Sequence, residues 1–247
     1  MSKKLPISIG ILSWNSPQIL NNTLNSYKSL GLFNIVSEAN IAFQEISKED
    51  IGLAKSFSLS YIGYDKNVGI GNAFIDLAKK STQPYFITLE HDWELIENED
   101  VTFNRLNLGI KLLKTGISAV RYRHRKNPGD PLYSKNVYEN NELNHYEPIT
   151  QLYSPHLLDC IHWKESPEID FPDKIQKINS YFIASSRWAN FTNNPCMYET
   201  KFYIDTVSQF ANDDLHLEPA ISYWWVRQNF KIAHGEGLFK HNDFIKF

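Results

Sequence analysis

Residues 7–20 have the sequence ISIGILSWNSPQIL, in which a short apolar run leads into a polar turn. The run over residues 7–14 is rich in isoleucine, as expected of a buried β-strand. Asn15 and Ser16 then supply a helix cap, and Pro17 suits the first turn of a helix because no backbone N–H is needed there. This stretch therefore predicts a strand that passes directly into a helix.

The same alternation continues through the first half of the chain. Further strands are predicted over 40–46, 57–64, 85–89 and 117–123, and helices over 17–30, from Ser47, after Gly69 and over 100–115. Strands that alternate with helices through short connections indicate a mainly parallel sheet with helices on both faces. The predicted fold class is α/β.

The second half of the chain has a different pattern. From about residue 124 to 180 the sequence is irregular and rich in Pro, Asn, Tyr and charged residues. A segment of this length is too long for an ordinary connecting loop and indicates a functional lid or insertion. A strand over 181–184 and a helix over 215–229 are predicted after it. We therefore expect the substrate side of the molecule in this half.

Composition excludes several classes of protein. The 247 residues include 25 Lys and Arg, 28 Asp and Glu, and 42% hydrophobic residues. This hydrophobic content indicates a folded globular domain, and the nearly balanced charge argues against a general nucleic-acid-binding protein. No apolar stretch reaches the ~18 residues of a transmembrane segment. Cys160 and Cys196 are too few for a disulfide framework and lack the spacing of a zinc site, so we expect reduced thiols in a cytoplasmic protein.

Polar side chains follow each of the first four predicted strands. They are Asn15 after the first strand, Gln44 and Glu45 after the second, Asp65 and Asn67 after the third, and Glu90, His91 and Asp92 after the fourth. Each of them alone is explained as well by a helix cap or a turn. Because ligands of open parallel sheets bind beyond the carboxyl ends of the strands, their joint placement predicts a binding site there.

The segment LEHDWEL, residues 89–95, places two carboxylates directly after an apolar strand. Neither Glu90 nor Asp92 has a basic partner within the segment. Such a pair suits a hard divalent cation whose other ligands are water and the phosphates of a bound molecule. The alternative is a solvated turn in which Asp92 caps the next helix.

The segment KNVGIGNAF, residues 66–74, contains two glycines at a strand-to-helix junction. Gly69 and Gly71 allow a ligand to approach the backbone closely and leave helix amides available to anions. The segment also resembles the start of a dinucleotide-binding GxGxxG motif, but Phe74 occupies the position of the third glycine. The junction is also the third in the chain, whereas that motif usually opens the first βαβ unit, so a nicotinamide site is disfavoured.

Three further segments carry candidate residues. In FANDDLHLEP, residues 210–219, Asp213 and Asp214 either cap a helix or include a general base. In HGEGLFKH, His241 either supplies a nitrogen ligand or lies on the surface. RYRHRK, residues 121–126, is expected to form a solvated charged edge, although an arginine pointing inward could hold phosphate.

Taken in order, these segments resemble the nucleotide-sugar-dependent glycosyltransferases of the GT-A fold, most closely those of family 2 type. The resemblance covers the first ~125 residues and two C-terminal patches. It lies in Ser13, Trp14 and Asn15 after the first strand, Gln44 and Glu45 at the place of the family's acidic segment, Asn67 and Gly69 in the Asn-x-Gly segment, and EHD at the place of the DXD motif. Glu90 stands where this motif has its first aspartate. Its side chain is one methylene longer, which implies contact with either the ribose or a metal-bound water.

The resemblance implies transfer of a sugar, with inversion, from a nucleoside-diphosphate sugar to a hydroxyl of a glycan or glycoconjugate. Residues 1–123 would bind the nucleotide sugar, and residues 124–247 would bind the acceptor and supply the base. The implied donor residues are Ser13, Asn15, Glu45, Asn67, Gly69, Glu90 and His91; the implied ligands of Mn or Mg are Asp92, Glu90 and His241; the implied base is Asp214, beside Asp213.

Aromatic side chains of the second half are candidates for stacking on the acceptor sugar, namely Trp188, Tyr198 and Trp224, with core packing as the alternative. Two rival functions remain open. A sugar nucleotidyltransferase would share the α/β layout and the metal, but SWNSPQIL stands where its Gly-rich, Arg-containing loop would be. A non-catalytic carbohydrate-binding protein is compatible with the altered motifs at Gln44 and Glu90.

Overall fold

The structure is a computed structural model that describes residues 4–132, 134–135, 156–211 and 217–242. The strands are β1 (Leu5–Trp14), β2 (Val36–Gln44), β3 (Ser60–Gly63), β4 (Tyr85–Glu90), β5 (Trp93–Leu95), β6 (Ala119–Arg123), β7 (Ile175–Ile178), β8 (Tyr181–Ser185), β9 (Cys196–Glu199) and β10 (Lys231–His241). The helices are α1 (Pro17–Ser29), α2 (Leu32–Ile35), α3 (Lys48–Ser56), α4 (Ile70–Lys80), α5 (Glu99–Leu113), α6 (Pro167–Asp170), α7 (Thr200–Val207) and α8 (Leu217–Trp225), together with a 3₁₀ helix over Leu157–His162.

All the strands belong to one sheet with the order β3-β2-β1-β4-β9-β6-β10-β8-β7, and β5 pairs with β10 outside this path. The pairing directions make every strand except β5, β8 and β9 run the same way. The mainly parallel sheet predicted from the sequence is therefore confirmed. The sheet joins both halves of the chain, because β9 lies between β4 and β6.

Helices cover both faces of this sheet, as the prediction required. On one face α1 and α5 pack on β1, β2 and β4, and on the other α4, α7 and α8 form a second apolar cluster. Gly10 of β1 allows this second layer to lie close, since a Cβ at Gly10 would be 2.5 Å from the Phe86 ring and 3.2 Å from Leu77 of α4. The central strand β1 is thus buried on both faces.

Most predicted element boundaries in the first half agree with the structure to within a few residues. The capping box of α3 is confirmed, with the Ser47 hydroxyl accepting from the Asp50 N–H at 3.1 Å and the Asp50 carboxylate accepting from the Ser47 N–H at 2.9 Å. The strand predicted over 57–64 is shorter, because Phe57 ends α3 and Ser58 has a positive φ of 55° before the strand begins.

The segment predicted as irregular contributes more regular structure than expected. Its described part contains the 3₁₀ helix, α6 and the edge strand β7. Cys160 and Cys196 are free thiols, and both are buried. Within the described ranges, the structure contains no helix with both the length and the apolar composition to cross a bilayer.

Candidate functional site

A cavity of about 370 Å³ opens at the carboxyl end of the sheet, beyond β4, β6 and β10. It is lined at the strand ends by Glu90, Asp92, Arg123 and His241, and elsewhere by Ser134, His156, Asp159, Asn190, Thr192, Asn193, Asn194 and Glu218 among others. All three predicted metal residues therefore line one cavity. Its remaining polar lining comes from the second half of the chain.

Strand pairing brings Asp92 and His241 together across 149 positions of sequence. The antiparallel register of β5 and β10 sets His241 opposite Trp93, and the Asn242 N–H donates to the Asp92 carbonyl at 2.9 Å. The His241 Nε2 lies 3.2 Å from the Asp92 Oδ2. The sequence related these two residues through the family resemblance alone, and the structure makes them neighbours.

The loop over residues 128–131 holds His241 from its other side. The His241 Nδ1 contacts the Asp130 carbonyl oxygen, and the His241 N–H donates to the Pro128 carbonyl at 3.0 Å. Arg123 fixes this loop by donating to the carbonyl oxygens of Pro128, Gly129 and Pro131 at 2.7–3.0 Å. Arg123 is thus a positioning residue for His241.

The prediction that RYRHRK forms a solvated edge is wrong. The side chains of Arg121, Arg123 and Arg125 are all buried, because each donates to carbonyl or carboxylate oxygens of neighbouring segments. The arginines do point inward, as the alternative supposed. Each of them, however, already donates at least three hydrogen bonds to oxygens of the protein itself.

The charges around Asp92 interact strongly. Burial raises the pKa of Glu90 to about 8, and the negative charges of Asp92 and Glu218 add to this shift. Burial opposes ionisation of Asp92, yet its pKa lies below the ordinary value because of the hydrogen bond from His241 and the charges of His91 and His241. Burial also lowers the pKa of His91, whereas Asp92 raises that of His241 against the effect of burial. Asp92 and His241 therefore form a charged pair facing the cavity.

The donor set at Asp92 fits a divalent cation. Its Oδ1 is buried without a hydrogen-bond partner among the described residues, and the His241 Nδ1 is engaged by a backbone carbonyl, which orients Nε2 towards Asp92. A histidine oriented in this way by a carbonyl is typical of metal ligands. In the described part of the chain, no three His, Cys, Asp or Glu side chains form a metal site, so Glu90 is not grouped with this pair. Water and ligand phosphates would supply the other positions.

A second polar cluster lies at the ends of β1 and β2. The Glu45 Oε2 accepts from the Trp14 Nε1 at 2.9 Å and from the Asn15 Nδ2 at 3.0 Å. These two hydrogen bonds lower the pKa of Glu45 and keep its carboxylate ionised, and the bond from Trp14 has the larger effect. Both Asn15 and Glu45 have positive φ, of 46° and 52°, so the chain turns sharply out of each strand there. The Trp14 ring is 48% exposed beside them.

The turn before α4 is built around the end of β2. The Gln44 side chain accepts from the Val68 N–H at 2.9 Å and donates to the Gly69 carbonyl at 3.2 Å, and the Asn67 Oδ1 accepts from the Gly69 N–H at 2.9 Å. Gly69 has a φ of 84°, which favours glycine. Gln44 thus shapes the turn that carries the predicted donor residues Asn67 and Gly69.

The remaining donor residues lie along the same end of the sheet. Ser13 is buried next to the Trp14 cluster, and its hydroxyl has no partner among the described residues. The His91 carbonyl accepts from the Thr23 hydroxyl at 2.7 Å, at the turn between β4 and β5. Because β2, β1 and β4 are adjacent, these groups span two strand spacings, about 10 Å.

The three predicted acceptor aromatics do not line the cavity. Tyr198 is 2% exposed and packs against Tyr203 in the core, and Trp224 packs against Phe210 and Phe230. Trp188 lines a separate cavity with Lys231, the first residue of β10, whereas His241 is the last. An extended strand of this length measures on the order of 30 Å, so Trp188 lies at the opposite end of the sheet from Asp92.

The predicted catalytic residues Asp213 and Asp214 lie outside the described residues. The nearest described positions are Ala211, whose Cα would be 3.1 Å from a Cβ at Gly71 of α4, and Leu217, which lines the cavity. The assignment of the base therefore stays a prediction.

Several residues of the cavity were missed by the sequence analysis. The Glu218 Oε1 accepts from the Asn193 N–H at 2.6 Å, and the Thr192 hydroxyl accepts from the Asn194 N–H at 3.1 Å. The only sequence signal was the polar run around Thr192, which indicates a loop as readily as a site.

A buried ion pair beneath the cavity was also missed. The Arg121 Nη1 donates to the Asp159 Oδ1 at 2.6 Å, and the His156 Nδ1 lies 3.6 Å from the Asp159 Oδ2. Burial would raise the pKa of Asp159, but the charge of Arg121 and the contact with His156 hold it well below the ordinary value. His156 therefore lies in the cavity against an ionised carboxylate.

Comparison with known proteins rests on structure, since the sequence matches no protein-family model and no curated protein. S. aureus TarS matches with a TM-score of 0.57 and 9% identity, over 96% of this chain and 60% of that one. The mannosyltransferase PcManGT from Pyrobaculum calidifontis, solved with GDP-Man and Mn²⁺, matches with a TM-score of 0.53 and 7% identity, over 95% and 58%. Glucosyl-3-phosphoglycerate synthase from Mycobacterium tuberculosis has a TM-score of 0.49 and 14% identity, over 97% and 72%.

This chain spans about three fifths of the length of TarS and of PcManGT in these structures. At such low identity the matches concern the fold alone. Together with the mainly parallel sheet and its two helical layers, the matches to TarS and PcManGT lead to one conclusion: the chain has the GT-A fold.

Proposed function

We propose that the protein is a glycosyltransferase that moves a sugar from a nucleoside-diphosphate sugar to an acceptor hydroxyl, with inversion and with a divalent cation. The observation that carries this proposal is the pairing of Asp92 with His241 in a cavity at the carboxyl end of β4. An unpartnered carboxylate oxygen beside a histidine oriented by a carbonyl suits Mn or Mg. The same location is where open parallel sheets bind nucleotides.

The cation would balance the charge of the donor's diphosphate. Arg123, the arginine that lines the cavity, already donates to three carbonyl oxygens of the 128–131 loop. Asp92 and His241 would hold the ion, which would supply Lewis-acid stabilisation of the departing nucleoside diphosphate. That PcManGT was solved with GDP-Man and Mn²⁺ supports this class of donor and metal.

The nucleoside would lie along the ends of β2 and β1, about 10 Å from Asp92. There the ionised Glu45, fixed by Trp14 and Asn15, offers a carboxylate for sugar hydroxyls or base N–H groups. The exposed Trp14 ring offers a stacking surface. Ser13 and the Asn67–Gly69 turn would complete the donor side, in the first half of the chain.

The transfer step needs a base for the acceptor hydroxyl. The family resemblance assigns this role to Asp214, with Asp213 beside it, and general-base assistance is worth ~10² to 10⁴ in rate. The base takes the hydroxyl proton while the oxygen attacks the anomeric carbon from the face opposite the leaving diphosphate. Replacement of Asp214 by Asn should reduce turnover by that factor and leave donor binding unchanged.

The proposal is tested by titrating the protein with UDP, GDP, CDP and dTDP, with and without Mn²⁺, in thermal-shift and calorimetric experiments. We expect one nucleotide to bind and to stabilise the protein only with the metal, and Asp92→Asn to abolish this binding. The matched control is Asp173→Asn, an exposed carboxylate that lines the separate cavity containing Trp188. Binding that is unaffected by EDTA, or equal in Asp92→Asn, would refute the metal site, and stabilisation by NAD would favour a dehydrogenase.

A further inference from the structure

A second cavity, of about 750 Å³, lies at the end of the sheet opposite to the proposed metal site. It is lined by residues of α5, β7 and β8 and by Lys231, the first residue of β10. His241, the last residue of β10, lines the cavity of Asp92. Because this strand measures on the order of 30 Å, a small ligand bound in one cavity does not reach the other.

The lining of the second cavity is apolar where it is buried and mainly polar where it is exposed. We call the buried lining residues the floor; they are Ile117, Ile183 and Ala184, all of them apolar. The half-buried Trp188 adds an aromatic ring. The exposed lining residues, which we call the rim, include Lys111 and Lys231. The floor therefore suits an apolar group, and the rim suits the polar end of the same ligand.

The charges along this cavity are mostly positive. Lys111, Lys174 and Lys231 line it with one carboxylate, that of Asp173, although the chain as a whole has a net charge of -3. Lys111 and Lys231 have no ion-pair partner among the described residues. The Lys174 ammonium lies 4.9 Å from the centroid of the Trp188 ring, so a third positive charge is held next to the aromatic surface. This arrangement favours an anionic group at the rim.

The size and the floor of the cavity indicate the class of ligand. Cavities that bind small molecules measure about 300–1,000 Å³ and are mostly apolar with a few polar groups, and this cavity has both properties. Its depth favours a small molecule over a flat membrane surface. The hydroxyls around a sugar ring need hydrogen-bond partners, which the side chains of the floor do not provide. A ligand with an apolar body and one anionic group matches both the floor and the rim.

We propose that the cavity containing Trp188 is a binding site for a small amphiphilic anion, a molecule with a hydrocarbon or aromatic body and one carboxylate or phosphate group. The body packs on Ile117, Ile183 and the Trp188 ring, and the anionic group lies near Lys111 and Lys231. This site does not depend on the proposed glycosyl transfer, because it uses neither Asp92 nor a metal ion.

The charge preference is tested with three probes of equal chain length, namely octanoate, octan-1-ol and octylammonium. Binding is measured by saturation-transfer NMR and calorimetry at low ionic strength, where exposed charges are least screened. We expect octanoate to bind about threefold more tightly than octan-1-ol and about tenfold more tightly than octylammonium, because the lysines attract an anion and repel a cation. Equal binding of the three probes, or no binding of octanoate, overturns the proposal.

The apolar part of the site is tested with butyrate, which carries the same carboxylate on a shorter chain. Each buried methylene contributes ~0.8 kcal/mol, so the loss of even half of this contact should make butyrate bind at least tenfold more weakly than octanoate. Equal affinities would show an ion contact at the surface only and would overturn the proposal.

Two double variants locate the anionic group. Lys111→Glu combined with Lys231→Glu should reverse the preference, so that octylammonium binds more tightly than octanoate. The matched control, Lys48→Glu with Lys80→Glu, makes the same change of net charge at exposed positions outside the cavity and should keep the preference for octanoate. A preference for octanoate that survives in the first double variant contradicts the assignment.

Two further measurements exclude other binding places. Asp92→Asn should leave the affinity for octanoate unchanged, and a loss of binding would mean that the anion lies in the cavity of Asp92 instead. Sedimentation with phosphatidylglycerol vesicles that requires Lys111 and Lys231, in a protein that does not bind octanoate, would identify a membrane surface and also overturn the proposal. No probe is a nucleotide, so these results are independent of whether glycosyl transfer is confirmed.

Discussion

Replacement of Asp159 by alanine should lower the free energy of unfolding by about 3–5 kcal/mol, because it leaves the buried Arg121 guanidinium without its counter-ion. The Arg121 side chain is 3% exposed and lies 2.6 Å from the Asp159 carboxylate. Its other described hydrogen bonds go to the carbonyl groups of Asn190, which are neutral. For a chain of this size the loss corresponds to a fall in melting temperature of roughly 6–20 °C.

Urea denaturation and calorimetry at pH 7 measure this loss. The matched control is Asp205→Ala, which removes a carboxylate from an exposed pair with Lys201 and should cost less than about 1 kcal/mol. A double variant, Arg121→Met with Asp159→Leu, should recover most of the stability, since an apolar pair of similar size leaves no charge uncompensated. A loss below about 1 kcal/mol in Asp159→Ala would refute the reasoning, because Arg121 would then have found another partner.

Three further predictions follow from contacts around the site. Arg123→Lys should weaken Mn²⁺-dependent nucleotide binding at least tenfold with an unchanged circular dichroism spectrum, because an ammonium group cannot hold the three carbonyls of the 128–131 loop, which contacts His241 through Pro128 and Asp130. Unchanged affinity would contradict the positioning role. Burial lowers the pKa of His162 to about 4, below its value in the unfolded chain, so the unfolded chain binds the proton first as the pH falls. The free energy of unfolding, measured by urea titration, should therefore fall by about 2 kcal/mol between pH 7 and 5. The same fall in a His162→Gln variant would show that this pH dependence does not come from His162. Gly10→Ala should cost about 1–3 kcal/mol by overpacking against Phe86, and a melting temperature equal to that of the unmodified protein would contradict the close approach of this ring.

The first half of the fold was predictable because its signals are local. Apolar runs, the cap at Ser47 and the glycine before α4 each act within a few residues, and the strands β1 to β4 follow from them. The strands β5, β7, β9 and β10 were not predicted. The first three are three or four residues long and are defined by their partners in the sheet, whereas the 11-residue β10 contains Gly235 and Gly237, which indicate a turn in the sequence. Pairing with distant strands leaves little trace in segments as short as the first three.

The candidate site was predictable at the strand ends and not elsewhere. Glu90 and Asp92 stand next to an apolar strand, which is a local signal, whereas His241 becomes their neighbour only through the register of β5 and β10. The aromatic residues were misjudged for a related reason. An isolated Tyr198 or Trp188 in sequence does not reveal which end of the sheet, or which side of a core, its ring occupies.

The position of β10 has a consequence for synthesis of the protein. Among the strands of the sheet it leaves the ribosome last, yet it lies between β6 and β8 and pairs with both. Until it emerges, the strands β5, β6 and β8 each lack this partner, and open edges invite association between nascent chains. The histidine that faces Asp92 arrives with the same strand, so closing the sheet and bringing together the proposed metal ligands are one event.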